Sequence, residues 1–473
     1  MSKLPYVAIV GRTNAGKSSL FNRLYGTQEA IVAREAGTTR DNVVRKLHYD
    51  TGALWLIDTA GLKPAEDEFE ASIQEQIYEA SELANVIVMV VDGTEYPGDE
   101  ERRVAKTALR SKKPVVLVIN KTDLRGALPN DEFMRLGIRA IIRTSAEHNV
   151  GTEALLGHII SQLPTVRDDD EQDDVLRLAL IGRPNVGKSR LFNTLAGKQQ
   201  AIVANVAGTT RDVNRITIRY HGRDVELLDT AGVRRPGRQE VGIEKFSVLR
   251  TLAAVDEADV CLLLMDVNEL STALDQKLAG LIKEAGKGLI IVVSKWDSVE
   301  GKDAYTRDAL APTIVRNFAF VPWAQLIFTS AETGQNVTKL FDLAMDIDLE
   351  RQRKIKTSEL NRILQACVTK HPPAGLKNTL PKLRYMVQTD VRPPWFVIYG
   401  SNLRHLHWSY KRYLERSVRE GHGFTGTPIN FSFRDEKQIK ANKQRIAEGK
   451  EPLTKANRLK REAEAAAAAD LPE

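Results

Sequence analysis

Only two cysteines, Cys261 and Cys367, occur in 473 residues. That is too few for a disulfide framework, and their spacing fits neither a zinc nor a redox motif, which points to a reducing, cytosolic setting. No stretch approaches the roughly 18 apolar residues that a membrane helix needs, so no membrane partner is expected. The N-terminus also lacks a signal peptide, which would need a basic start, a longer apolar stretch and a small-residue cleavage site. It runs instead into a short strand-like segment at Tyr6 that ends in a glycine loop. A soluble, cytoplasmic protein is expected, and a monomer when free, since nothing suggests an obligate assembly.

What is present is ordinary in bulk: 42% hydrophobic and 27% charged residues, in a chain long enough for about three domains. The net charge of +6 is unevenly spread. From Arg351 to the C-terminus there are 25 Lys+Arg against 12 Asp+Glu, a balance of +13, which leaves −7 for the rest. A basic block confined to one region favours a nucleic-acid partner over merely solvated surface.

The chain repeats itself. Gly11-Arg12-Thr13-Asn14-Ala15-Gly16-Lys17-Ser18 returns as Gly182-Arg183-Pro184-Asn185-Val186-Gly187-Lys188-Ser189, a shift of 171 residues. The same shift carries LFNRL at Leu20 onto LFNTL at Leu191, GTTRD at Gly37 onto Gly208, and DTAG at Asp58 onto Asp229. A period this long means a duplicated domain rather than a solenoid. Between the copies Asp168 to Asp174 reads DDDEQDD, a block that cannot pack and should act as an extended linker. In each copy short apolar runs alternate with helical patterns: 6–10, 54–57, 86–91 and 115–119, then 177–181, 225–228, 260–265 and 289–293. Such runs read as a parallel sheet buried on both faces, with ligands bound beyond the carboxyl ends of the strands.

Each motif sits just after one of those runs. In GxxxxGK[ST], backbone N–H groups and a helix N-terminus surround phosphates, Lys17 and Lys188 reach the β- and γ-phosphates, and Ser18 and Ser189 bind Mg²⁺. In Asp58-Thr59-Ala60-Gly61 and Asp229-Thr230-Ala231-Gly232 the aspartate can hold Mg²⁺ through water and the glycine amide can sense the γ-phosphate. Asn120-Lys121-Thr122-Asp123 and Ser294-Lys295-Trp296-Asp297 select the base, because a carboxylate matches the paired donors of guanine that adenine lacks. Ser145-Ala146 and Ser330-Ala331 fall where a guanine-contacting loop would lie. The position that often carries a water-orienting glutamine holds Leu62 or Val233, so another group must supply transition-state charge. These residues point to two sites for GTP and GDP, and to hydrolysis.

After about Arg351 the pattern changes. An amphipathic stretch at 358–368, strand-like runs at 382–389 and 395–399, a helix from about Leu403 to Arg419 and a strand-like run at 428–433 read as a small α+β domain. The helix bears Arg404, Lys411, Arg412, Arg416 and Arg419. RNA binding is the preferred reading, and packing against neighbouring domains with a basic surface is the alternative. Gly423-Phe424-Thr425-Gly426 resembles the GxxG loop of KH modules, but it lies between a helix and a strand and carries no basic residue. From Lys437 a lysine-rich and then alanine-rich tail could touch RNA.

Together these features resemble the bacterial Der (EngA) family over about Tyr6 to Phe433, through GRPNVGKS, GTTRD, SYKRYL at Ser409 and GTPI at Gly426. The resemblance implies two tandem P-loop GTPase domains, mainly parallel sheet with helices on both faces, followed by a small α+β KH-like domain without a working GxxG loop. The expected divisions are 1–165, a linker at 166–175, 176–350, 351–435 and a tail at 436–473. The resemblance also implies a role in assembly of the large ribosomal subunit through its rRNA, with nucleotide state controlling domain arrangement. It assigns Thr39 and Thr210 to Mg²⁺ and γ-phosphate sensing. Asn14 with Thr38, and Asn185 with Thr209, would hold K⁺. The chain departs from the family pattern at Ser294, where asparagine is expected, and at Arg190, where Ser or Thr is usual.

Overall fold

The structure is a computed structural model that describes residues 4–26, 44–49, 52–59, 80–164, 175–198, 214–229, 248–301, 305–374 and 380–435. The acidic block 168–174 and the tail from 436 lie outside the described residues. The chain divides into two compact units, Met1–Asp348 and Leu349–Glu473.

The first unit contains two six-stranded sheets of matching order. The first sheet comprises β1 (Tyr6–Val10), β2 (Val44–Tyr49), β3 (Gly52–Asp58), β4 (Val86–Asp92), β5 (Val115–Asn120) and β6 (Ala140–Arg143), in the order β2-β3-β1-β4-β5-β6. Around it lie α1 (Lys17–Gly26), α2 (Asp99–Arg110) and α3 (Thr152–Gln162). The second sheet comprises β7 (Leu176–Gly182), β8 (Asn214–Tyr220), β9 (Arg223–Asp229), β10 (Val260–Asp266), β11 (Gly288–Ser294) and β12 (Gln325–Phe328), in the order β8-β9-β7-β10-β11-β12. Its helices are α4 (Lys188–Lys198), α5 (Val248–Glu257), α6 (Ala273–Glu284), α7 (Thr306–Asn317) and α8 (Lys339–Gln352).

The central strands follow from their residues. All seven side chains of β4, VIVMVVD, are buried, as a β-branched run covered on both faces must be. Every run singled out in the sequence falls within one of these strands. What periodicity missed are the margins: β2, β6, β8 and β12. The edge strands β2 and β8 pair antiparallel with β3 and β9, so each sheet is mixed rather than purely parallel. The turn joining β8 to β9 has only His221 and Gly222, at φ 48° and 82°, the geometry that a two-residue hairpin requires.

The two domains of this unit also touch. The Tyr6 hydroxyl of β1 and the Trp55 indole N–H of β3 donate to the two carboxylate oxygens of Asp256 on α5, at 3.1 and 3.2 Å. Trp55 is fully buried.

The second unit runs α9 (Thr357–Lys370), β13 (Lys382–Asp390), β14 (Trp395–Ser401), α10 (Trp408–His422) and β15 (Asn430–Asp435). β14 is central, antiparallel to β13 and parallel to β15. Leu360, Leu364 and Cys367 of α9, spaced at helical intervals, join Leu414 and Val418 of α10 and Phe396 and Ile398 of β14 in one core. The expected helix from Leu403 breaks in two. Leu403–His405 forms a 3-10 turn, and α10 starts only at Trp408 because the His407 side chain accepts from the Ser409 amide and caps it. Arg419 is not a free surface charge: its guanidinium donates to Glu415 and to the carbonyls of Phe424 and Thr427. Phe424, inside GFTG, is fully buried, and its amide donates to Glu350. The GxxG sequence is therefore a packed turn held by Arg419, in keeping with its setting between a helix and a strand.

Candidate nucleotide-binding sites

Both phosphate loops leave the carboxyl end of the first strand of their sheet and open a helix, β1 into α1 and β7 into α4. Asn14 and Asn185 sit at the loop tips with φ of 66° and 63°, a left-handed conformation that asparagine tolerates better than most residues. A Cβ on Gly11 would stand 2.2 Å from the Val90 carbonyl oxygen, and one on Gly182 would stand 2.6 Å from that of Leu264. The neighbouring strand thus presses directly on the loop, and only glycine fits. Lys17 is buried and donates to the carbonyls of Gly11 (2.7 Å) and Arg12 (2.6 Å). Lys188 does the same with Gly182 (3.1 Å) and Arg183 (2.7 Å). Each ammonium is held over its own loop, where a phosphate would receive it.

Arg12 and Arg183 contribute backbone to the loops, but their side chains point elsewhere. Arg12 pairs with Glu95 and Glu101, and Arg183 pairs with Glu269 and the buried Asp275. These pairs tie each phosphate loop to the start of the helix that follows the next strand. No motif search would have found them, because the acids lie more than 80 residues away in sequence.

The base-recognition segments end β5 and β11. In the first, Asn120 is buried and bridges three elements. Its amide donates to the Ala15 carbonyl (3.2 Å), and its oxygen accepts from the Thr144 hydroxyl and the Ala146 amide (3.1 Å each). In the second, the Ser294 hydroxyl lies 2.7 Å from the Val186 carbonyl and 2.9 Å from that of Met265. The tie from base motif to phosphate loop therefore survives the exchange of asparagine for serine. What goes is the tie to the Thr329–Ala331 segment, where Thr329 turns back on the Val293 carbonyl.

Lys121 and Lys295 are matched, with φ of 62° and 55° and ammonium groups 2.6 and 2.7 Å from Asp92 and Asp266. Burial would raise those two carboxyls, but the lysine bonds and the neighbouring Thr94 and Asn268 outweigh it and hold both below the ordinary range. The Ser145 hydroxyl likewise holds exposed Asp123 low, and the Ser330 hydroxyl donates to Asp297 at 2.5 Å. Asp123 is thus kept ionised, and each carboxylate is steadied by a serine hydroxyl where a guanine edge would meet it. Thr122 is anchored on the Thr144 carbonyl, and Trp296 is packed edge-on to Phe328.

The Thr59 hydroxyl donates to the Ile9 carbonyl, fixing the end of β3 beside the phosphate loop. Ala60, Gly61, Leu62, Thr230, Ala231, Gly232 and Val233 lie outside the described residues, as do Thr38, Thr39, Thr209 and Thr210. Mg²⁺ suits what is described: Ser18 and Asp58 offer hard oxygen donors at the loop. Among the described residues no cluster of three His, Cys, Asp or Glu exists, so phosphate oxygens and water would complete such an ion's shell. No helix among the described residues is long and apolar enough to cross a membrane.

A family described as 50S ribosome-binding GTPase matches residues 6–121 and again 177–295. The KH-domain-like C-terminal domain of EngA bacterial GTPase enzymes matches 354–434. GTPase Der of Herpetosiphon aurantiacus is 42% identical over 445 residues, covering 92% of this chain and 98% of that protein. GTPase Der of Chloroflexus aggregans is 42% identical over 439 residues, covering 91% and 98%. Among solved structures, Era in complex with MgGDPNP and nucleotides 1506–1542 of 16S ribosomal RNA matches at 22% identity over 55% of this chain and 93% of its own, with a TM-score of 0.29. That likeness is too loose to say what this chain binds. The curated relatives, by contrast, follow the chain through both nucleotide sites and the terminal unit, and on that agreement the chain belongs to the Der (EngA) family of GTPases, which bind GTP and hydrolyse it to GDP.

Proposed function

We propose that the protein is an assembly factor of the large ribosomal subunit, in which bound nucleotide sets the arrangement of domains and so the engagement of rRNA. The observation that carries this reading is the union on one chain of two GTPase domains, both of a family described as 50S ribosome-binding, with a KH-like unit in the part whose charge balance is +13. The contact through Asp256 supports the switching part. Helix α5 follows the DTAG segment of the second domain, and it is bonded to β1 and β3 of the first, the strands that lead into the phosphate loop and into Asp58. A shift of α5 would therefore be felt at the strands that lead into the first site.

In hydrolysis, Lys17 and Lys188 exchange their loop carbonyls for phosphate oxygens, and the loop amides take the rest of the charge. Ser18 with Asp58 and Thr39, and Ser189 with Asp229 and Thr210, would hold Mg²⁺. Asn14 with Thr38, and Asn185 with Thr209, would hold K⁺, which would supply the positive charge that Leu62 and Val233 cannot. Asp123 and Asp297 fix the guanine, and Ser145 and Ser330 steady those carboxylates.

The test is co-sedimentation of the purified protein with ribosomal subunits on sucrose gradients, with GDP or with a non-hydrolysable GTP analogue. Nucleotide-dependent migration with the large subunit is expected. Absence of association in both states at modest salt would leave the GTPase intact and remove the ribosomal role.

A further inference from the structure

Helix α2 of the first GTPase domain carries charge that nucleotide binding does not use. Between Arg102 and Lys113 the sequence holds six basic residues and no acidic one. Arg102, Lys106 and Arg110 project from the exposed side of α2 and, with Arg135 on the adjacent 3-10 turn Asn130–Leu136, line an open groove of about 320 Å³. Leu109 and Leu136 form the rest of its wall. Arg102 lies 3.4 Å from Asp99 and Arg135 lies 3.9 Å from Glu132, exposed pairs of the kind that contribute little. Among the described residues Lys106 and Arg110 have no ion pair.

The duplicated domain serves as an internal control. Helices α2 and α6 begin with the same cap: the Gly98 amide donates to Glu101 and the Thr272 amide donates to Asp275, both at 3.0 Å. With the caps aligned, Arg102, Lys106 and Arg110 stand opposite Gln276, Gly280 and Glu284. The second copy keeps the phosphate loop, its lysine and its base-recognition aspartate without any of these charges. The nucleotide machinery therefore does not require them, and the acidic residues of α2, Asp99, Glu100 and Glu101, are confined to its first turn, which leaves the groove side basic.

We propose that this groove binds RNA phosphates, giving the protein a contact with RNA on its first GTPase domain besides that of the C-terminal unit. The proposal rests on the RNA-binding reading above. Cations four residues apart recur about every 6 Å along a helix, a ladder suited to successive phosphates on one strand. Guanidinium groups, moreover, fork onto phosphate oxygens. The packed GFTG turn offers no open GxxG loop for a nucleic-acid backbone in the C-terminal unit, which gives phosphate contacts elsewhere more weight.

The test uses full-length protein with a GTP analogue, a fluorescein-labelled rRNA hairpin, and fluorescence anisotropy across a range of KCl concentrations. The variant is Arg102→Gln/Lys106→Gln/Arg110→Glu, with GTP turnover as the control for folding. RNA affinity should fall on the order of ten-fold near 0.1 M salt, and the slope of log K against log salt should become shallower by about 2, since each phosphate contact adds ~0.7–0.9. Should the triple variant lose turnover, the single changes Lys106→Gln and Arg110→Gln carry the same test. Unchanged affinity and slope, in a wild type that binds, would overturn the groove alone. Failure of the wild type to bind RNA at all would overturn the RNA reading as well. If the variant lost binding to labelled polyglutamate while keeping the hairpin, the groove would be a site for an acidic polypeptide and the RNA proposal would fall.

Discussion

In the first nucleotide site Asn120 ties together the phosphate loop, Thr144 and Ala146, whereas in the second Ser294 reaches the phosphate loop and the β10 backbone only. The phosphate ends of the two sites are otherwise close to superimposable in their bonding, down to lysines curled onto the same two carbonyls. Phosphate geometry leaves a loop little freedom, because several amides and one ammonium must converge on a small anion. The bracing of the base loop is a matter of one or two hydrogen bonds, each worth about 1 kcal/mol, and it can drift without ending recognition. The difference also shows in space. A Cβ on Gly16 would fall 2.2 Å from the Asn120 amide nitrogen, while the space beside Gly187 is open within 4 Å.

The largest effects should come from the feature the sites share. Lys17→Ala and Lys188→Ala should each lower phosphate release from its own site by about 100-fold or more, on the scale of removing one transition-state donor. A site whose lysine can be removed with turnover unchanged is degenerate, and the comparison of two working sites would then fail. Glycine substitution separates the copies next. Gly16→Ala should abolish nucleotide binding at the first site, because Asn120 cannot move without releasing three partners. Gly187→Ala meets only its own backbone strain at φ 94°, about 1–2 kcal/mol. Labelled-GDP titration of each, in the background of the other site's lysine variant, reads both, and equal losses would refute the role given to Asn120.

A smaller effect is expected from exchanging the bracing residues. Asn120→Ser breaks two buried bonds and should weaken GDP at the first site about 30-fold, while Ser294→Asn, with room beside Gly187, should tighten the second about five-fold. Unchanged affinity in both would show that the brace is irrelevant to the base. The smallest effect concerns pH, and there the copies should agree. Asp92 and Asp266 are both held below their ordinary pKa, so their stabilisation is present above about pH 4 and is lost as pH falls through the depressed values. Urea midpoints of Asp92→Asn and Asp266→Asn should lie below that of the wild type at neutral pH and converge on it in acid. A constant gap would sink the assignment.

Much of this was legible in the sequence for a physical reason. The runs that lead to the motifs are central strands buried on both faces, so their composition alone marks them, and the phosphate loop needs glycine and lysine at fixed offsets. The edges were not legible. VRKLHY of β2 has two fully buried side chains among half-covered and exposed ones, so its apolar signal is thin. Helix α10 began late because a histidine side chain can cap a helix, which is not among the strong sequence signals. Arg419 read as one more surface cation because its partners are carbonyls, which no sequence pattern displays. The acids that hold Arg12 and Arg183 were hidden by distance along the chain. The consequence of Ser294 was half legible: the substitution was visible, but which of asparagine's bonds would survive depended on how far a shorter side chain reaches.

Trp55 gives the contact at Asp256 an optical consequence. It is the one tryptophan before residue 296, and its indole N–H rests on a carboxylate of the neighbouring domain. Parting of the two domains would bring water to that ring and shift its emission to the red. With Trp296, Trp323, Trp395 and Trp408 replaced by phenylalanine, stopped-flow fluorescence after nucleotide exchange would time the separation without an attached dye.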